Sequence, residues 1–204
     1  MASALVGLSA VALVAVWGAA RSSSRQSILR SAGFRRAKSA DEDVLGVVER
    51  FLGPRAAEVF YKRKGQPAWL ILTTGSGPDD SDSAMVVFPT ERACGSEVAL
   101  FRTTIKVPLL TRKATGGAFG RLDPVGDGEY AHLCGPGWFA FKEPRGQVPS
   151  ALFERLCLAT QIPQEAVLGG VALYDGYLAV WSDSANLRKL LAAGSKIRSK
   201  VFGR

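Results

Sequence analysis

A chain of 204 residues with 26 Lys and Arg against 18 Asp and Glu has a formal net charge of +8, but the excess is local. Six of the basic residues precede the first acid, Asp41, so the rest is nearly balanced and the net charge argues little for a nucleic-acid binder. Three cysteines without a CxxC and a single histidine argue against a disulfide framework and against a zinc ribbon.

Ala2 to Ala20 is uncharged, and at about 1.5 Å per residue it would span roughly 28 Å, one hydrocarbon core. The stretch reads as a single transmembrane helix over 1–20, followed by a basic juxtamembrane connector over 21–40 and one globular domain over 41–204. A cleavable signal peptide would carry its positive charge ahead of the apolar run, and an organelle presequence would be amphipathic. A retained anchor accounts for both halves, because Arg21, Arg25, Arg30, Arg35, Arg36 and Lys38 then lie on the positive-inside face. That orientation puts the N-terminus out and the domain in the bacterial cytoplasm, or alternatively in an organellar matrix or stroma. The same six cations suit anionic lipid headgroups. Small residues four apart, Ser3/Gly7 and Ala15/Ala19, suit close helix packing, so other membrane-protein subunits are expected partners.

Beyond the connector, Ser39 and Glu42 match a capping box. Val44, Leu45, Val48, Phe51 and Leu52 then share one helical face before Gly53-Pro54. Glu58–Lys62 and Ala68–Thr74 read as a hairpin around a turn at 64–67, and Ala84–Phe88 as a further strand. A long strand is expected over Glu97–Val107. Tyr130–Leu133 and Trp138–Phe141 are expected to pair as a second hairpin across Gly135-Pro136-Gly137. Pro149–Thr160 reads as a short helix. Gly170–Tyr174 and Tyr177–Trp181 flank Asp175-Gly176, the strongest hairpin signal in the chain. The last helix is expected over Ser184–Val201. The pattern predicts an α+β fold with a mostly antiparallel sheet and about three helices.

This order of parts resembles a group of uncharacterised, mostly bacterial single-pass membrane proteins with a C-terminal α+β domain of unknown function. The matching positions are Gly33-Phe34, the hairpin Val59–Thr74, Pro108-Leu109-Leu110, Asp127-Gly128-Glu129-Tyr130, Leu152-Phe153, the hairpin Val171–Trp181 and the helix from Leu187. The resemblance implies a fold plan and no known activity.

Few residues suggest chemistry. His132 and Cys134, two apart, would share a face of a strand, but no second ligand pair accompanies them, so neither metal nor cofactor is expected. No G-x-S-x-G is present, and pairing Cys94 or Cys157 with His132 is only an arithmetic possibility. The acidic loop over 75–83 lacks both the phosphate-binding ending and the calcium-loop pattern. Phe60 to Lys64 interleaves aromatic and basic residues, which fits a lysine-protected edge strand better than a single-stranded nucleic-acid platform. The expected function is a non-catalytic accessory subunit of a respiratory, photosynthetic or transport membrane complex. The alternatives are a membrane-tethered lipid- or protein-binding module and an enzyme with a site near His132 and Cys134.

Overall fold

The structure, a computed structural model, describes residues 24–52, 57–65, 67–73, 82–90, 97–102, 123–124, 133–135, 137–143, 149–161, 168–182 and 186–203. Helix α1 covers residues 24–31. It ends in a Schellman turn: Gly33 N–H donates to the Arg30 carbonyl (3.0 Å) and Phe34 N–H to the Leu29 carbonyl (2.8 Å). Gly33 takes φ +82° there, a left-handed conformation that costs glycine little. The turn delivers strand β1 (Arg35–Arg36). Helix α2 (Glu42–Leu52) follows, then β2 (Ala57–Lys62), β3 (Ala68–Thr73), β4 (Ser83–Pro89), β5 (Val98–Arg102), β6 (Asp123–Pro124) and β7 (Trp138–Lys142). Helix α3 (Ser150–Ala159), β8 (Gly170–Tyr174), β9 (Tyr177–Ser182) and helix α4 (Leu187–Phe202) complete the chain.

The strands form one sheet in the order β1-β2-β3-β4-β9-β8-β5-β7-β6, and every neighbouring pair is antiparallel. The β8–β9 hairpin, last in sequence, sits in the middle. It joins the β1–β4 meander to the β5–β7–β6 block. Asp175 (φ 44°) and Gly176 (φ 79°) form its turn, both in the left-handed region that a two-residue hairpin needs. Thr90 fastens to this turn, its N–H and hydroxyl each donating to the Gly176 carbonyl at 2.7 Å.

Register puts Phe60, Leu70, Val86, Val180, Val171 and Leu100 on one face, with Leu156 of α3 and Leu190 and Ile197 of α4 in the same core. Gly194 lets α4 approach β4 closely, since a Cβ there would stand 2.7 Å from Val86 Cγ1. The opposite face carries Ile71, Met85, Val87, Ala99, Ala172, Ala179 and Trp181 beneath Val44, Val47, Val48 and Phe51 of α2. With both faces covered, β4 runs buried from Ser83 to Phe88 without an apolar–polar alternation.

The expected fold class, α+β with an N-terminal transmembrane helix, a mostly antiparallel sheet and about three helices, is corrected here. Among the described residues there are four helices, and none is long and apolar enough to cross a membrane. The longest with both ends described, α4, has 16 residues and carries Arg188, Lys189, Lys196, Arg198 and Lys200. Residues 1–20 lie outside the described residues, as does Arg21. Residues 24–40, read as a connector, contribute a helix, an edge strand and the buried side chains of Leu29, Phe34 and Ala40.

Three finer expectations also shift. Helix α2 starts at Glu42, where the Asp41 carbonyl accepts from Leu45 N–H (3.0 Å), so Asp41 rather than Ser39 occupies the capping position. Its buried face uses Val47 in place of Leu45, which is 36 % exposed. Strand β7 pairs with β5 and with β6, Leu133 lies in a short helical turn, and residues 130–132 of the expected second hairpin lie outside the described residues.

Candidate anion-binding groove

At the β1 edge of the sheet, two segments remote in sequence converge. The Schellman turn after α1 projects Arg30 and then Arg35-Arg36. The register Arg35↔Tyr61 and Arg36↔Phe60 places these beside the end of β2. From there the chain turns through Arg63, Lys64 and Gly65, whose φ of +78° is again left-handed. The result is a groove of about 690 Å³ lined by Arg30, Gly33, Phe34, Arg35, Arg36, Ala37, Tyr61, Arg63 and Lys64. Among the described residues, nine line the groove, of which five are cations and none is an acid.

The floor is apolar and aromatic where the rim is charged. Phe34 is buried, and Tyr61 lies over Trp69 with ring centroids 4.4 Å apart. Arg30, Arg35, Arg36, Arg63 and Lys64 are all exposed. Among them, Arg36 is paired with Glu58 (Nη2 to Oε1, 3.4 Å), a solvent-screened contact of little strength. A smaller adjoining cleft is lined by Arg36, Ala37, Lys38, Ala57, Glu58 and Val59. Crowded cations on a partly apolar floor suit a ligand bearing several negative oxygens, since guanidinium groups bind phosphate and carboxylate through paired hydrogen bonds.

The sequence matches no protein-family model and no curated protein. The fold is similar to the crystal structure of the mycobacterial trehalose monomycolate transport factor A, TtfA. The TM-score is 0.57 over 87 % of this chain and 92 % of that one, at 10 % sequence identity. Identity this low shows a shared fold. The expectation of a transmembrane helix is corrected by the described residues, none of whose helices is long and apolar enough to cross a membrane.

Of the six collar cations, the structure brings Arg30, Arg35 and Arg36 into the groove and Lys38 into the adjoining cleft. Arg25 is half-buried on α1, outside both. Arg63 and Lys64 complete the site, and no spacing in the sequence links them to the collar. Their signal in the sequence is the interleaving of aromatic and basic residues over Phe60 to Lys64. His132 and Cys94 lie outside the described residues. Cys134 is brought against Cys157. Among the described residues, no three of His, Cys, Asp and Glu are grouped as metal ligands.

Proposed function

We propose that this protein is a non-catalytic binding module that holds anionic lipid headgroups in the groove at the β1 edge. The observation that carries this reading is the convergence of Arg30, Arg35, Arg36, Arg63 and Lys64 on one groove whose lining, among the described residues, has no acid. Each such cation near an anionic surface contributes about 1 kcal/mol, so five together favour stable though salt-sensitive attachment. The neighbour in fold is named as a transport factor rather than an enzyme, which favours binding over catalysis.

The test is co-sedimentation of the full chain with vesicles of phosphatidylcholine alone and with added phosphatidylglycerol. The wild type is expected to pellet with the anionic vesicles and to be released by salt. The double variant Arg35→Glu/Arg63→Glu is expected to stay in the supernatant while keeping its thermal transition. Equal pelleting of wild type and double variant would refute the groove as the lipid site.

A further inference from the structure

Two cysteines distant in sequence meet where the segment leading into β7 crosses the end of α3. Two hydrogen bonds hold that crossing, and a third within the end of α3 fixes the hydroxyl that one of them uses. The Gln161 side-chain amide donates to the Leu133 carbonyl (2.7 Å), Gly135 N–H donates to the Thr160 hydroxyl (2.9 Å), and that hydroxyl donates to the Cys157 carbonyl (2.6 Å). Gly135 is required there, because a Cβ would stand 2.7 Å from the Thr160 carbonyl oxygen. Residues 133 to 135 are thereby pinned over the last turn of α3. Cys134, between the two anchored residues, sits half-buried in front of Cys157, which is fully buried on the core side of α3. Both are free thiols, and the two side chains are hydrogen-bonded to each other.

We propose that Cys134 and Cys157 are a redox-responsive pair, Cys134 the accessible nucleophile and Cys157 the resolving thiol, which a peroxide converts into an intramolecular disulfide. Exposure divides the roles, since Cys134 is half-buried and reachable while Cys157 is fully buried behind it, and the hydrogen bond between them acts in the same sense. Cys157 donates its S–H to Cys134, which holds the Cys134 thiol below its usual range against the opposing effect of burial. Cys157 is pushed up by the same hydrogen bond, by burial, and by the charges of Cys134 and Glu154, so it keeps its proton until called on. In the first step the Cys134 thiolate attacks one oxygen of hydrogen peroxide. The O–O bond breaks, Cys134 becomes a sulfenic acid, and the departing hydroxide takes a proton to leave as water. In the second, Cys157 loses its proton and its sulfur attacks the Cys134 sulfur. The S–O bond breaks, the S–S bond forms, and a second water leaves. Two thiols are oxidised by two electrons and one peroxide is reduced to two waters. The product ties the approach to β7 covalently to α3.

The experiment treats the full chain, wild type and Cys94→Ser, with limited hydrogen peroxide after reduction, then maps unreduced peptides by mass spectrometry. The expected result in both proteins is the loss of two hydrogens in intact mass and a cross-linked peptide joining Cys134 to Cys157. Dithiothreitol should reverse it. In Cys157→Ser, Cys134 should instead be trapped as a dimedone adduct. A Cys94→Ser chain that retains both thiols, or that oxidises to sulfinic acid without the cross-link, would overturn the proposal. So would a wild-type cross-link that uses Cys94. Mapping the wild type keeps the result decisive even if Cys157→Ser does not fold.

Discussion

Arg50 of α2 grips Glu97, the residue ahead of β5, through two parallel bonds, Nε to Oε1 at 2.8 Å and Nη2 to Oε2 at 3.1 Å. The Glu97 carbonyl also accepts from Glu143 N–H after β7 (2.9 Å), so one residue ties α2 to β5 and β7 of the far block. The two side chains are only 17 % and 11 % exposed, which removes most solvent screening. Breaking such a pair leaves a charge in a poorly hydrated site and typically costs about 3 kcal/mol, whereas replacing both partners by apolar residues costs far less. Urea denaturation should therefore find Arg50→Met strongly destabilised and Arg50→Met/Glu97→Met partly restored. A double variant worse than the single one would show that the pair is not desolvated as described.

Gly170 and Trp181 are direct cross-strand partners in the β8–β9 hairpin, and the indole lies where a Cβ on residue 170 would be. Trp181 also stacks on Phe51 of α2 (5.3 Å, 18°) and tilts against Phe101 of β5 (5.2 Å). Displacing it disturbs the core beneath α2 at its centre. Gly170→Ala is expected to cost about 2 kcal/mol through overpacking, and to alter the near-ultraviolet dichroism of the tryptophans. An unchanged spectrum and an unchanged midpoint would mean that the indole has room to move.

Glu58 is the acid that restrains the groove. Its pair with Arg36 joins side chains 73 % and 48 % exposed, so removing it should leave stability nearly unchanged. Glu58→Gln releases Arg36 and removes one negative charge from the adjoining cleft. If the groove binds anionic headgroups, affinity for phosphatidylglycerol vesicles should rise about fivefold, the equivalent of one unit charge at the surface. Titration at fixed salt checks this, and a fall in affinity would show that Glu58 positions Arg36 for the ligand.

Local features were the most legible in the sequence. Asp175-Gly176 between two apolar runs specified its hairpin because few residue pairs tolerate two left-handed positions in succession. The 3.6-residue spacing of Leu187, Leu190 and Ile197 marked the buried side of α4. Non-local pairing was not legible. Alternation shows which residues of Trp138–Lys142 share a face, but not that β5 and β6 will be its neighbours or that a C-terminal hairpin will enter mid-sheet. The groove was half legible for the same reason. The basic run up to Lys38 was plain, but only the register Arg35↔Tyr61 brings Arg63 and Lys64 beside it. The six-to-one hydrogen bond from Phe34 to Leu29 sets that register's entry, and no periodicity marks it.

Tyr177, at the start of β9, makes alkaline stability a test of packing beneath α2. Burial raises its phenol above the usual value of 10.0, and the carboxylates of Asp43, Asp41 and Asp175 raise it further. Two of these acids stand at the head of α2 and the third in the hairpin turn, so the shift exists only while helix and hairpin are assembled. Above pH 10 the unfolded chain gives up this proton while the folded chain keeps it, so unfolding releases a proton. Stability from this group is therefore fully present below about pH 10 and is lost as pH rises through the folded value. Urea midpoints at pH 8 and pH 11 should fall less for Tyr177→Phe than for wild type, because phenylalanine has no proton to lose. Asp43→Asn should reduce the fall in the wild-type background by removing the largest charge contribution. Identical falls in wild type and Tyr177→Phe would place the alkaline loss in another group and separate Tyr177 from the α2 interface.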